Sequence, residues 1–462
     1  MKLLKAIIVL ALLTLPVQAQ KSYKYRVTFK DKANTEYSVD RPQEFLSMRA
    51  IERRNRQQLP IDGTDLPVSG TYLETVEKIG ASVVATSKWN NTALVMLSDT
   101  LLAERLRALP FVVSARKVWT EPDSIPPRNA SRKEEVKNAV ELDSLYYGPA
   151  FRQIAIHGGD SLHTAGFMGM GMQVAVIDAG FYNADEISLF DQMQLLGTRD
   201  FVNPQSDIYA ENSHGMKVLS CMAANIPNVF VGTAPGASYW LLRSEDADSE
   251  QPVEEDYWIA AMEFADSVGV DVVNTSLGYY AFDDEADNYR YRDLDGHGSL
   301  MSHTASLAAD KGMVVVCSAG NSGSDQWKKI TPPGDAEHVL TVGALHHDLS
   351  NAEFSSVGNT VDGRVKPDVM AVGVSSVVAG TSGSVSRANG TSFASPTLCG
   401  VVACFWQACP WLTAKEVVKA VQQSGDRMDC PDNIYGYGVP NLWKAYKEQW
   451  RNRQLSGQSD VK

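Results

Sequence analysis

Gln173-Val174-Ala175-Val176-Ile177, followed at once by Asp178-Ala179-Gly180, is a nearly unbroken apolar run that stops at a carboxylate and a flexible turn. A strand with one wet face alternates apolar and polar residues. A continuous run instead predicts a strand covered on both faces, as in a parallel sheet. The pattern returns at Val270-Asp271-Val272-Val273-Asn274 and at Met313-Val314-Val315-Val316-Cys317. Each is preceded by a segment of helical spacing, most clearly Glu254–Val268 and Ser302–Lys311. Strand and helix in alternation predict an α/β fold: a mostly parallel sheet with helices on both faces. Ligands of such sheets gather beyond the carboxyl ends of the strands, so the residues just after these runs are the ones to inspect for chemistry.

The chain before this region is organised differently. Tyr25–Phe29 alternates like a strand, Thr71–Ile79 has helical spacing, and Ser82–Ser87 and Thr92–Leu97 read as strands. Leu101–Leu109 then reads as a helix and Phe111–Ala115 as a strand, so residues 21–120 predict a separate small α/β sandwich. Between the two units, Glu121–Lys137 is polar and carries Pro122, Pro126 and Pro127, the composition of an exposed, protease-accessible linker. At the start, Lys2 and Lys5 precede an apolar stretch from Ala6 to Leu15, and Val17-Gln18-Ala19 offers a cleavage site for a signal peptidase. That stretch is too short to span a bilayer, and no later run is long enough, so export with no membrane span after signal removal is expected. The destination is a periplasm, a surface or the medium.

Length and charge narrow the function. A chain of 462 residues with 44% hydrophobic and 21% charged residues is a globular protein of two or three domains. Its formal net charge of −13 argues against nucleic acid as a partner. Six cysteines in an exported chain permit disulfides. Cys221, Cys317, Cys399 and Cys404 stand in apolar sequence and read as buried thiols, whereas Cys409 and Cys430, each beside a proline, are the pair expected to bridge. No closely spaced Cys or His pair suggests zinc. Asp293-Leu294-Asp295-Gly296-His297 has some character of a calcium loop but lacks the twelve-residue ligand spacing, so it reads as a solvated acidic insertion. No cofactor is required, and structural calcium stays open but unsupported.

Four residues carry the chemistry. Asp178 ends its strand at the sheet's carboxyl edge. His214, in Asn212-Ser213-His214-Gly215-Met216, stands at the start of an apolar helix. Asn321, in Ser318-Ala319-Gly320-Asn321-Ser322-Gly323, follows a strand in a loop of small residues that lets a substrate backbone come close and offers an amide donor to a developing negative oxygen. Ser392, in Asn389-Gly390-Thr391-Ser392-Phe393-Ala394-Ser395-Pro396, opens a helix that exposes its hydroxyl and aims its N–H at the same space. Each motif alone also fits a turn or a helix cap. It is the combination, in the order Asp, His, Asn, Ser, that is informative.

With that order and those local motifs, the chain resembles the subtilisin-like (subtilase) serine peptidases, whose triad runs Asp, His, Ser. The resemblance spans about residues 146–445 and includes Asn274-Thr275-Ser276-Leu277-Gly278, Lys366-Pro367-Asp368-Val369 and Gly436-Tyr437-Gly438. It implies a three-layer fold and a secreted serine endopeptidase made as a self-processing zymogen. Asp178, His214 and Ser392 would be catalytic and Asn321 the oxyanion donor. Extended polypeptide substrates would pair with Ser276, Leu277 and Gly278 on one side and Ser318, Ala319 and Gly320 on the other. The first unit resembles the inhibitory, chaperone-like propeptides of secreted members, which makes the chain's own prodomain a second partner. The implied division is a signal peptide at 1–19, a propeptide-like domain at 20–120, a linker with the processing site at 121–145, the peptidase domain at 146–450 and a polar tail at 451–462. Two positions depart from the family pattern: Ala179 stands where Ser or Thr is usual, and Met216 where Thr is usual. Neither is acid, base or nucleophile; both bear on the hydrogen bonding that orients Asp178 and His214.

Two rival readings keep other functions. A catalytically idle scaffold would retain the fold, and a permanent adhesion module would retain the N-terminal unit. The related serine-carboxyl peptidases (sedolisins) use a Glu base and an Asp at the oxyanion, where this chain has His214 and Asn321.

Overall fold

The structure, a computed structural model, describes residues 21–122, 145–455 and 457. The expected signal peptide and most of the expected processing linker lie outside the described residues. The N-terminal unit comprises β1 (Tyr23–Phe29), α1 (Met48–Arg56), α2 (Gly70–Lys78), β2 (Ser82–Ser87), β3 (Thr92–Leu97), α3 (Leu101–Arg107) and β4 (Val112–Thr120). Its strands form an antiparallel sheet in the order β2-β3-β1-β4. Val27, Val76, Val95, Leu97 and Leu106 are fully enclosed in a core of its own.

The second unit begins with α4 (Phe151–Ala155), α5 (Gly159–Thr164), β5 (Gln173–Asp178), β6 (Gln194–Asp200) and α6 (His214–Ala223). Two short strands, β7 (Asn225–Ile226) and β8 (Phe230–Val231), precede β9 (Ser238–Arg243), α7 (Val253–Val268) and β10 (Val272–Thr275). There follow α8 (Leu300–Asp310), β11 (Val314–Ser318), β12 (Leu340–Leu345), β13 (Val369–Val372) and the hairpin of β14 (Ser376–Ala379) and β15 (Val385–Ala388). The chain closes with α9 (Thr391–Ala408), α10 (Ala414–Gln423) and α11 (Leu442–Leu455).

A seven-stranded sheet in the order β13-β12-β11-β10-β5-β9-β6, parallel throughout, is the frame. Val174, Val176, Val272, Val314 and Val316 face a core shared with α6 and α9, while Ala175, Ile177, Val273, Val315 and Cys317 face one shared with α7 and α8. These two cores account for the unbroken apolar runs. β6, at the edge with most of its residues exposed, lacks such a run and is not announced in the sequence.

Helix α1 is also unannounced, because its sequence, Met-Arg-Ala-Ile-Glu-Arg-Arg-Asn-Arg, has almost no apolar stripe. Its burial is ionic. Arg53 and Arg54, 2% and 0% exposed, donate to the carboxylate of Asp266 on α7, which also accepts from Lys88 at 3.0 Å. Burial alone would raise the Asp266 pKa, yet these cations hold it well below the ordinary carboxylate range. Arg54 also meets Asp65, which Lys311 reaches from the second unit at 2.8 Å. Elsewhere in the interface, Glu263 of α7 accepts from Ser87 Oγ and from the N–H groups of Lys88 and Trp89. Arg26 of β1 forks onto Asp256 with two bonds of 2.7 Å. At the end of β4 the Thr120 N–H and C=O both bond the Gln251 side chain, at 2.9 and 3.3 Å.

The expected Cys409–Cys430 bridge is not formed. Both are free thiols: Cys409 is enclosed at the end of α9, where burial pushes its pKa up to about 12, whereas Cys430 is exposed beyond α10. The other four are buried thiols, as expected from their apolar surroundings. Among the described residues no helix is long and apolar enough to cross a membrane. The acidic insertion folds on its own hydrogen bonds, with Asp295 Oδ1 accepting from the His297 and Gly298 N–H groups and Asp335 accepting from Gly296. Among the described residues no cluster of three or more His, Cys, Asp or Glu is arranged to hold a metal ion.

Asp266→Asn would leave Arg53, Arg54 and Lys88 buried with too little negative charge. The variant, made in a Ser392→Ala background, is expected to lose about 3–5 kcal/mol of stability in urea unfolding. A loss below about 1 kcal/mol would show that this ionic cluster is not what holds the two units together.

Candidate active site

Asp178 is the last residue of β5 and fully enclosed. Its Oδ1 lies 2.7 Å from His214 Nδ1 and accepts the Ala179 N–H at 2.8 Å. His214 opens α6, with its own N–H bonded to Asn212 Oδ1 at 2.8 Å, and its side chain is about one-third exposed at 31%. The helix approaches the strand this closely because Gly215 has no side chain: a Cβ there would lie 2.8 Å from Asp178 Cβ. The other carboxylate oxygen, Asp178 Oδ2, is buried and without a hydrogen-bond partner. Ala179, the first departure from the family pattern, places a methyl group beside Asp178 where the usual residue carries a hydroxyl. Met216, the second, is fully buried in the core beneath α6.

Ser392 is the second residue of α9, 7% exposed, and its Oγ donates to the Ser276 carbonyl at a long 3.4 Å. The neighbouring Phe393 ring packs against the His214 imidazole, with centroids 5.8 Å apart. Pro396 has no N–H, so the Ser392 carbonyl lacks the donor it would usually have one helical turn on. Ser276 Oγ donates to that carbonyl instead, at 3.0 Å. Ser276 Oγ in turn accepts from Asn274 Nδ2 at 3.1 Å, and Ser395 Oγ donates to Asn274 Oδ1 at 2.9 Å. A closed chain of small polar groups thus ties the end of β10 to the first turn of α9.

Asn321 is exposed in the loop after β11. Its Oδ1 accepts from both the N–H and the hydroxyl of Thr391, at 2.9 and 3.0 Å. With the amide oxygen held there, the amino group is left as the donor on the opposite side. Thr391, Asn274 and Ser395 were not singled out in the sequence. Each nonetheless lies inside a quoted motif: Thr391 and Ser395 in the run around Ser392, and Asn274 at the head of Asn274–Gly278.

The two expected substrate segments differ. Gly278 is exposed, and a Cβ on it would collide with Thr331 Oγ1. Across the cleft, the Ala319 N–H and C=O are committed to Val342 and Thr331, and the Gly320 carbonyl to Ser356. Ser318-Ala319-Gly320 thus presents small side chains, with the Ala319 main chain and the Gly320 carbonyl already engaged within the fold.

A seven-stranded parallel sheet bearing Asp, His, Asn and Ser along one edge, in that chain order, defines a class, and sequence comparison identifies the same one. Residues 169–438 match Peptidase S8, the subtilase family, and residues 24–137 match the Peptidase S8 propeptide domain of Bacteroidota. The chain belongs to the subtilase family. It is 31% identical over 303 residues to serine protease AprX of Bacillus subtilis, covering 59% of this chain and 65% of that protein. It is 29% identical over 296 residues to subtilisin DY of Bacillus licheniformis, covering 62% and 94%. Subtilisin NAT of Bacillus subtilis subsp. natto is likewise 29% identical, over 289 residues, covering 62% and 68%.

Thr391→Val keeps the shape of the side chain but removes the hydroxyl that helps fix Asn321. It is expected to lower kcat for peptide hydrolysis by about tenfold with little change in KM, as for loss of one hydrogen bond to a functional group. An unchanged kcat would mean that the Thr391 N–H alone orients the amide.

Proposed function

We propose that the protein is a secreted serine endopeptidase, made as a zymogen that cleaves itself. The single observation that supports this best is the 2.7 Å contact of His214 with the enclosed Asp178, on a helix whose ring packs beside the Ser392 turn. In this mechanism His214 takes the proton of Ser392 as the hydroxyl attacks a peptide carbonyl, and returns it to the leaving amine. Asp178 holds the imidazole tautomer and stabilises the imidazolium without taking the proton. The Asn321 amino group and the Ser392 N–H receive the oxyanion, and water hydrolyses the acyl-enzyme. The steps assigned to these residues need no metal.

An extended polypeptide lies along Ser276-Leu277-Gly278 as an added strand, with Ser318-Ala319-Gly320 as the opposing wall. The N-terminal unit, residues 20–120, acts as chaperone and inhibitor, and processing falls in Glu121–Lys137. The clasp of Thr120 on Gln251 supports this, since it directs the end of the prodomain to the residues just before α7. The signal-like N-terminus supports export.

The purified precursor is expected to process itself and to be labelled by a serine-directed phosphonate, and Ser392→Ala to abolish both. Processing or hydrolysis that persists in that variant overturns the assignment of the nucleophile. Asn321→Ala is expected to cost about 3–4 kcal/mol in transition-state stabilisation, the magnitude established for the oxyanion asparagine of subtilisin. Added residues 20–120 should inhibit the processed enzyme, and no inhibition would favour an adhesion module.

A further inference from the structure

Three carboxylates beside the candidate triad have no role in the mechanism above. The Ser244 N–H bonds the Asp178 carbonyl at 3.0 Å, so Glu245 emerges at the carboxyl edge of the sheet immediately next to the catalytic strand end. Tyr279, the residue after the substrate-pairing segment, donates its hydroxyl to Glu245 Oε2 at 3.4 Å. Glu254, in the first turn of α7, is 0% exposed; both its carboxylate oxygens are enclosed without a hydrogen bond of normal geometry, and the polar group facing them is the Tyr279 hydroxyl. Glu250 is held between them in sequence by Asp283, whose carboxylate accepts the Glu250 N–H at 3.2 Å and whose N–H bonds the Glu250 carbonyl at 2.8 Å. Glu245 and Glu250 are partly exposed and open the cluster to the surface.

A buried carboxylate with no ionic partner is costly, so it either stays protonated or takes its charge when a cation arrives beside it. The nearby cations are engaged elsewhere. Arg243 pairs with Asp200 at 2.9 Å and Glu211 at 3.5 Å, and Lys24 of the prodomain bonds the Tyr257 hydroxyl and lies 4.4 Å over the Trp119 ring. Among the described residues no Lys or Arg forms an ion pair with Glu245, Glu250 or Glu254, and none of the acidic clusters has metal-holding geometry.

We propose that Glu245, backed by Glu254 and Glu250, forms a subsite for a cationic side chain of the substrate, Lys or Arg, at one position close to the scissile bond. The inference rests on the peptidase reading above. It goes beyond that reading in giving the enzyme a charge preference, where main-chain pairing alone gives none. The Tyr279 hydroxyl orients the Glu245 carboxylate, and a guanidinium can donate to more than one oxygen at once. The burial described is that of the precursor, in which Thr120 clasps Gln251, next to Glu250. Departure of the prodomain opens that side.

The charge state of the empty site supports this. Burial and the negative charge of Asp178 push Glu245 up to about 7. Burial and the nearby Glu245 and Asp283 push Glu250 up to about 8, and Glu254 lies well above the carboxylate range. The groups facing Glu245 are Asp178, His214, Arg243 and Tyr279; those facing Glu254 are Glu245, Glu250, Asp246 and Tyr279. Carboxyls with raised pKa gain their charge as pH rises, so preference for a cation should strengthen from pH 6 to 8.5.

The test compares processed enzyme on quenched peptides from a positionally scanned series that differ only in arginine or its neutral isostere citrulline. At one position the kcat/KM ratio is expected to favour arginine by at least about tenfold at pH 8 and to fall toward unity at pH 6. Taking the ratio cancels the titration of His214, which acts on both substrates. Glu245→Gln should reduce the ratio to about threefold or less, and Glu245→Asp should restore part of it. Glu250→Gln, at a partly exposed position, provides the same reading if the first variant fails to fold. A wild-type ratio near one at every position, or an arginine preference that survives both glutamine variants, overturns the subsite. Labelling of Ser392 by a neutral phosphonate separates the two failures: labelled enzyme without preference overturns only the subsite, whereas unlabelled, inactive enzyme overturns the peptidase reading as well.

Discussion

The contact between Asp178 and His214 sets terms for much of the molecule. It needs a carboxylate at the end of a strand deep in the sheet and a helix start close enough to bring its histidine Nδ1 to 2.7 Å, and the second is met because Gly215 adds no atoms between helix and strand. Asp178 is fully enclosed, so the strand that carries it must be covered on both faces, with α6 and α9 on one side and α7 and α8 on the other. Those layers bring the first turn of α9, and Ser392 with it, to the same edge. The proline that follows a turn later opens the Ser392 carbonyl to Ser276, so the Ser392 turn is fixed to the sheet by a side chain and not by the helix's own ladder.

The interface between the two units rests on a different balance. Hydrophobic contact is present, but much of the specificity is ionic: arginines and lysines of the N-terminal unit meet carboxylates of α7, and Lys311 makes the reciprocal contact to Asp65. Buried pairs of this kind add little net stability against an apolar alternative, but they are severe about partners, since an unmatched member is left charged in a dry place. The sheet of one unit and the helices of the other are thereby held in one arrangement.

The central strands were legible because two-sided burial writes itself as an unbroken apolar run, as in 173–177 and 313–317. The four candidate site residues stood out because each lies at or beside a strand or helix end inside a short motif. What the sequence hid was polar structure. Helix α1 looks like a surface segment, since Arg53 and Arg54 are buried by pairing with a carboxylate more than two hundred residues away in the chain, a contact no local pattern encodes. The Asn274–Ser276–Ser392–Ser395 chain was missed for a related reason: small hydroxyl and amide groups are common in loops, and only their meeting in space gives them a role. The disulfide expectation failed because a proline beside each cysteine says loop, and says nothing of which way the sulfur faces.

Helix α1 also reaches the opposite end of the sheet from the candidate active site. Arg49 donates to the carbonyls of Gly171 and Gly269 and meets Asp271, Arg53 donates to the Val270 carbonyl, and Gln57 Nε2 donates to the Gly312 carbonyl at 2.8 Å. These acceptors lie just before β5, β10 and β11, three neighbouring strands whose starts are separated by roughly a hundred and by roughly forty residues of chain. Such pairings are slow to find, because the entropy of closing the intervening loops is spent before any contact compensates for it. One short helix can satisfy all three sets of carbonyls only when the strands already stand side by side in the native order. Its contacts therefore read the order of three strand starts at once, an order that no local segment of the chain specifies.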